Sequence, residues 1–276
     1  MNMMEIIEAL LLKNRTIVTS DFESCVSLIA GEIPLTVDRY PSGKEYGTWV
    51  VPPQWDVIKG VLSDGERIIA SYEDHPLFVV PYSSSFEGWV SREELLEHVS
   101  WKQDVPGHYF YEHRLSMDYQ RRLKEWRISI PYSLASSLDR PQYYVDIQVE
   151  TKPGDMLVSR STIKGKNDYT FAFLTHLDHT GQANDGLAGV AVGIEVMKRI
   201  QQEFAHPEYN YELFVMPETI GSAVFLASHE HLIESYLGSI FIEMAGIRSP
   251  INLSRTRRGQ TYLDRVLIDV LKTRST

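Results

Sequence analysis

Two histidines and two aspartates lie close together directly after an apolar run. His176, Asp178, His179 and Asp185 follow the segment 171–174, and a helical pattern begins at the last of them. Imidazole nitrogens and carboxylate oxygens are ligands that suit zinc and its neighbouring metals. Because ligands of open α/β sheets bind at the carboxyl ends of strands, the cluster predicts a metal site at such an end.

Two more acids stand in equivalent places further along the chain. Glu218 follows the apolar run 213–216, and Glu243 follows the run 240–242. The carboxyl ends of neighbouring parallel strands meet at one edge of a sheet, so these acids are expected to converge with the histidines.

The residue types suggest distinct roles at such a site. His176 is the first choice as a histidine ligand, with Asp178 as the carboxylate that orients its ring, and His179 is the competing choice. Asp185 opens a helix, where the dipole favours an anion, and is the candidate bridge between two ions.

Each of these residues also has a structural interpretation. The histidines could bond to backbone carbonyls, Asp178 could form a turn, and Asp185 could cap a helix. Glu218 could be a first-turn acid favoured by the helix dipole. Glu243 interrupts an apolar strand, so we expect it to be a buried carboxylate with a partner.

Bulk composition narrows the class of protein. The 276 residues are 43% hydrophobic, which suits one large domain or two smaller ones. The net charge of −10 argues against a nucleic-acid partner. No apolar run is long enough to cross a membrane, and the single cysteine fits a reducing compartment, so a cytoplasmic location is expected.

The chain divides into three zones by pattern. Residues 1–40 predict two helices, and residues 41–132, which hold all five tryptophans, predict an inserted β-rich domain. Residues 133–276 alternate strands and helices, which predicts an α/β fold with a mainly parallel sheet and flanking helices. The predicted elements of this zone are strands at 143–150, 156–163, 169–175, 211–216 and 239–243, and helices at 185–202, 219–235 and 262–272.

Several phrases resemble one superfamily. They are His176-Leu177-Asp178, Ala183-Asn184-Asp185, Pro217-Glu218-Thr219-Ile220-Gly221-Ser222 and Phe241-Ile242-Glu243-Met244. Together they resemble the zinc aminopeptidase and glutaminyl cyclase superfamily. Phrases at 41–55 and 81–83 resemble a bacterial aminopeptidase-like branch with an inserted β-rich domain. The resemblance implies a three-layer α/β fold with one or two zinc ions.

The resemblance also implies roles for the residues. One ion would take His176, Asp185 and Glu243, and a second would take Asp185, Glu218 and a later histidine. No histidine follows His231, so the C-terminal part of the family pattern is expected to be missing and the second site incomplete.

The general base of the superfamily poses a further question. Pro217 stands where the superfamily carries its base. Glu218 is therefore either the catalytic base beside one ion or a metal ligand in a site that lacks the base.

The resulting expectation is a metal-dependent hydrolase of aminopeptidase type, acting on an amide or peptide bond of a small substrate. The alternatives are an amidohydrolase or acyl-transfer enzyme on the same scaffold, and a non-catalytic binding or assembly module. Loss of closing strands would leave an exposed sheet edge, which predicts a homo-oligomer.

Overall fold

The computed structural model describes residues 1–112 and 124–274. Its helices are α1 (Met3–Leu11), α2 (Ser20–Ala30), α3 (Arg92–Glu97), α4 (Tyr132–Ser136), α5 (Ala188–Glu203), α6 (Ile220–Ser228) and α7 (Tyr262–Arg274). Its strands are β1 (Thr36–Pro41), β2 (Glu45–Tyr46), β3 (Trp49–Val50), β4 (Gln54–Ser63), β5 (Ile68–Ser71), β6 (Phe86–Ser91), β7 (Val99–Ser100), β8 (Ile128–Ser129), β9 (Gln142–Lys152), β10 (Asp155–Ile163), β11 (Thr170–His176), β12 (Asn210–Met216) and β13 (Tyr236–Phe241).

The central sheet has the strand order β1-β10-β12-β11-β13. Its β11 pairs in parallel with both β12 and β13, as helical crossovers require. The β1–β10 and β10–β12 pairs are antiparallel, so the expected mainly parallel sheet is in fact mixed. The reason is that residues 164–169 join β10 to β11 without a crossover helix, so β10 runs opposite to β11 and to its parallel partner β12.

Helices cover both faces of this sheet. On one face α1, α2 and α5 bury an apolar layer whose fully buried members include Leu10, Phe22, Val190 and Leu213. On the other face α6 packs through Val224 and other buried residues. Helices on two faces of a partly parallel sheet confirm the α/β class predicted from the alternation of elements.

A second sheet is antiparallel and has the order β5-β4-β9-β6. Its core includes Trp55 and Trp126, two of the five tryptophans of the predicted β-rich domain, which are 1% and 6% exposed. Strand β9 pairs with β4 and β6 along its length, so hydrogen bonds join the strand predicted at 143–150 to the β-rich part. The three-zone division itself stays a prediction.

Three predicted elements differ in extent. The helix predicted at 219–235 ends at Ser228, and a 3-10 helix (Glu230–Ser235) follows. The strand predicted at 239–243 instead spans Tyr236–Phe241, so it ends before Glu243. The helix predicted at 185–202 is preceded by a π-helical turn (Ala183–Leu187), so α5 itself begins at Ala188.

Two further features concern surfaces. Across 1–112 and 124–274, no helix combines the length and apolar character needed to span a bilayer. Strand β13 ends the order of the central sheet, and self-association through that edge remains a prediction.

Candidate metal centre

His176 lies at the carboxyl end of β11, beside Met216 at the end of β12. Its side chain is 1% exposed. Its Nε2 lies 3.2 Å from Oδ1 of Asp185 and 3.9 Å from Oε1 of Glu243. Two of the predicted acids therefore meet this imidazole at the edge of the sheet.

Asp178 links His176 to the next strand end. Its Oδ1 lies 3.5 Å from Nδ1 of His176 and accepts a hydrogen bond of 2.8 Å from the backbone N–H of Glu218. This carboxylate faces the ring nitrogen opposite to the one near Asp185, which is the place of an orienting partner.

The same contacts shift both pKa values. Burial alone would raise the pKa of Asp178, but His176, His179 and the amide of Glu218 outweigh burial and lower it. Burial alone would lower the pKa of His176, but Asp178, followed by Asp185 and Glu218, outweighs burial and raises it. The pair therefore favours an ionised aspartate facing the imidazole.

His179 lies between two carboxylates. Its Nδ1 is 3.0 Å from Oδ1 of Asp185, and its Nε2 is 3.1 Å from Oε2 of Glu218. The ring centroids of His176 and His179 are 4.5 Å apart. Both candidate histidines are thus brought to the same cluster.

Glu218 is presented by a sharp turn. Thr219 has φ 61° and ψ −64°, and the N–H of Ile220 donates to the carbonyl of Glu218 at 2.6 Å. These are the features of a γ-turn that non-glycine residues adopt at a cost of order 1–3 kcal/mol. The strained turn directs the chain from β12 into α6 at the site itself.

A metal ion fits the donor set. Two groups offer atoms within 4.8 Å of one another: His176 with His179 and Glu218, and His176 with Asp185 and Glu243. Both ring nitrogens of His176 are buried, and each faces a carboxylate oxygen without a well-aligned hydrogen bond to any described residue. A buried polar atom without a partner is costly, and coordination would satisfy it.

Burial divides the cluster into two sides. The side chains of the two histidines are 1% and 6% exposed, whereas Asp185, Glu218 and Glu243 are 36%, 32% and 37% exposed. The acids therefore face an opening. This corrects the expectation for Glu243, which lies beyond the end of β13 and is not buried within a strand.

Gly186 permits the close approach of the backbone to His176. A Cβ at this position would lie 2.4 Å from the carbonyl oxygen of His176 and 2.6 Å from its Nε2. Any larger residue would therefore displace the imidazole that the cluster shares.

Arg15 supports the site, and sequence reasoning missed it. We call residues 176–186 the metal loop. The guanidinium is 0% exposed and donates to three carbonyls of that loop, those of Leu177 (2.7 Å), Gln182 (3.3 Å) and His179. It also donates to two carbonyls at the end of α1, and burial lowers its pKa to about 10.

Tyr111 is a second residue that sequence reasoning missed. It belongs to the β-rich part, and its ring lies 5.2 Å from the ring of His179. No local pattern marks either Arg15 or Tyr111, because each reaches the metal loop across a long stretch of sequence.

Solved structures show the same fold. A structure from Clostridium acetobutylicum, provisionally named a peptidase, matches with a TM-score of 0.88 at 21% identity, over 97% of this chain and 62% of that chain. A zinc aminopeptidase from Bacillus subtilis matches with a TM-score of 0.62 at 14% identity, over 99% of this chain and 77% of that one. At these identities the matches establish a mixed α/β fold like that of zinc aminopeptidases.

Sequence comparison identifies a curated relative and a family. A Clostridium acetobutylicum protein, provisionally described as a polysaccharide biosynthesis protein with an aminopeptidase-like domain, is 24% identical over 259 residues. The match covers 93% of this chain and 58% of the relative, so the chain spans less than two thirds of that protein's length. The family described as Domain of unknown function (DUF4910) matches residues 4–276. Because that match covers nearly the whole chain, the protein belongs to this family.

Proposed function

We propose that the protein is a metal-dependent hydrolase of aminopeptidase type, which cleaves the amide bond at the N-terminus of a small peptide or related substrate. The observation that supports this most directly is the buried imidazole of His176 facing the exposed acids Asp185 and Glu243. The zinc aminopeptidase fold supports the same reaction class.

We assign one ion to the set of His176, Asp185 and Glu243. The neutral imidazole and two carboxylates are a donor set that suits zinc and leaves coordination positions open. When bound, zinc supplies the Lewis acidity that polarises the substrate carbonyl. Asp178 holds the imidazole through Nδ1, and Asp185 contacts both histidines.

Glu218 is then available for proton transfer. Its Oε2 would take a proton from the attacking water and pass it to the leaving amine nitrogen, a role that contributes about 10²–10⁴-fold in rate. His179 lies 3.1 Å from that oxygen and orients the carboxylate. In this assignment Glu218 serves as the base that the superfamily carries at the position of Pro217.

Metal content and turnover of matched variants test the assignment. We expect about one zinc per chain in the wild type. Glu243→Gln should lose zinc, whereas Glu218→Gln should keep zinc and lose about 10²–10⁴-fold in turnover of an aminoacyl p-nitroanilide. Asp168→Asn, at an exposed position, is the control.

Other outcomes would contradict parts of this proposal. If Glu218→Gln loses zinc and Glu243→Gln keeps it, the ion belongs to the set of His176, His179 and Glu218. If the wild type and Asp185→Asn hold the same metal, Asp185 is not a principal ligand. A wild type with no metal above background would favour a non-catalytic binding module.

A second candidate is deacylation or acyl transfer on an acylated sugar or amino acid. The description of the curated relative, which combines polysaccharide biosynthesis with an aminopeptidase-like domain, favours it. It predicts bound zinc without aminopeptidase turnover, together with release of the acyl group from N-acylated sugars or amino acids.

A further inference from the structure

Aromatic residues of the β-rich part line one side of the candidate metal centre. The ring of Tyr111 lies 5.2 Å from the ring of His179, at an angle of 44°. The ring of Tyr109 stacks on that of His75 at 4.5 Å and 13°. We call His75, Tyr109 and Tyr111 the aromatic wall.

The aromatic wall packs against the metal loop at Gly181. Gly181 has φ 71°, and a Cβ there would lie 3.1 Å from both Cε1 of His75 and Cδ1 of Leu77. The N–H of Leu77 donates to Nδ1 of His75 at 3.1 Å, which fixes the ring. Burial lowers the pKa of His75, so the stacked ring is neutral at neutral pH.

Tyr111 reaches towards the acids of the centre. Burial, followed by the charges of Asp178, Asp185 and Glu218, raises its pKa well above 10. The side chain is therefore an uncharged phenol at neutral pH. Its ring contacts that of His179, whose two nitrogens face Asp185 and Glu218, so Tyr111 adjoins the residues to which we assign the ion and the base.

We propose that the aromatic wall determines substrate specificity by limiting the side chain next to the scissile bond to a small one, such as that of glycine or alanine. The inference rests on the proposed aminopeptidase function. Aromatic side chains have few rotamers, and stacking and contacts with the metal loop restrict the side chains of the aromatic wall further. They therefore cannot easily move aside for a bulky substrate group. A leucyl or phenylalanyl group would need the volume that Tyr111 fills.

The test compares substrates of different size. In Tyr111→Ala, the ratio of kcat/KM for leucyl over glycyl p-nitroanilide should rise about tenfold or more, the scale on which pockets reject one excess methylene group. Tyr111→Phe keeps the ring and should keep the wild-type ratio. Tyr169→Ala removes a tyrosine that is 51% exposed and serves as the control.

The outcome separates specificity from a structural role. If Tyr111→Ala lowers kcat/KM equally for all substrates, or leaves the ratio unchanged at wild-type zinc content, the proposal is overturned. If the wild type hydrolyses none of these substrates, the aminopeptidase proposal fails separately. The binding of glycine and leucine hydroxamates to the zinc-loaded protein, measured by calorimetry, then decides the size limit without turnover. An unchanged ratio of their affinities in Tyr111→Ala would overturn the inference.

Discussion

The two sides of the candidate centre are built in different ways. The metal loop packs on the core, with Leu177 and Thr180 at 1% and 2% exposure, and Arg15 bonds to three of its carbonyls. The segment 242–261, which carries Glu243, is mostly exposed, and its Ile251 is 80% exposed. The histidine side is therefore part of the folded core, whereas the Glu243 side is attached to it at a few points.

This difference separates stability from metal affinity. A change in a core residue that contacts the metal loop should affect both stability and metal affinity, because hydrogen bonds join the loop backbone to the core. A change in the segment 242–261 should affect the metal alone, because few core contacts depend on that segment. Four predictions test this separation, in order of decreasing effect.

The largest effect is expected from Arg15→Met. The substitution removes the guanidinium that donates to the carbonyls of Leu177, His179 and Gln182, although the carbonyl of His179 keeps the N–H of Gln182 at 3.2 Å. Loss of one member of such a buried polar network costs about 3–5 kcal/mol. The free energy of unfolding, measured by urea denaturation, should fall by that amount, and zinc binding should weaken as well. Arg255→Met, at an exposed position, is the control. A loss below about 1 kcal/mol would show that the loop does not depend on the guanidinium.

The sequence could predict the strand-end residues because their signals are local. An apolar strand followed by His176 or Glu218 places that side chain at the edge of the sheet, whatever the rest of the fold. Parallel pairing of β11 with both β12 and β13 then brings three strand ends together.

The remaining features depend on contacts that local pattern cannot show. Arg15 and Tyr111 reach the metal loop from distant parts of the chain. Strand β9 has the alternation of any half-exposed strand, and only its pairing decides which sheet it joins. The apolar run before Glu243 predicts that this residue lies within a strand, but the last pair of β13 with β11 is Phe241 with Leu174.

A smaller effect is expected from Asp178→Asn. The amide can still accept from the N–H of Glu218 but loses the charge that faces Nδ1 of His176. Loss of such an outer partner typically weakens metal affinity about ten- to hundredfold. Zinc titration against a competing chelator measures it, with Asp168→Asn as the control. Unchanged affinity would mean that Asp178 acts only as a turn former.

The pH dependence should have opposite signs for metal affinity and for stability. The pKa of His176 in the metal-free protein is raised above the ordinary 6.5, and zinc needs the neutral ring. Zinc affinity should therefore fall about tenfold per pH unit below that raised pKa, or about 1.4 kcal/mol per unit. Protonation of His176 stabilises the metal-free fold below pH 6.5, and this contribution is lost as pH rises through the raised pKa. Zinc titrations and urea denaturation across about pH 5.5–8 measure the two pH dependences. This assignment requires that the pH dependence of zinc affinity and that of stability both weaken in His176→Asn.

The smallest effect is expected from Asn184→Ala, which removes hydrogen bonds between the metal loop and the exposed segment 242–261. Oδ1 of Asn184 accepts from the N–H of Gly246 at 2.7 Å, and its amide donates to Sδ of Met244 at 3.4 Å. These contacts join the side chain of Met244 and the backbone of Gly246, both just after Glu243, to the metal loop. Loss of one hydrogen bond costs about 0.5–1.5 kcal/mol. Zinc affinity should therefore fall up to about tenfold while the free energy of unfolding of the metal-free protein stays unchanged. Asn252→Ala is the control, because the amide of Asn252 donates to the carbonyl of Pro250, two residues away. Asn184→Ala could instead lower the free energy of unfolding of the metal-free protein as much as Arg15→Met does. The contacts of the segment 242–261 would then contribute as much to folding as those of the metal loop, and the difference between the two sides would be wrong.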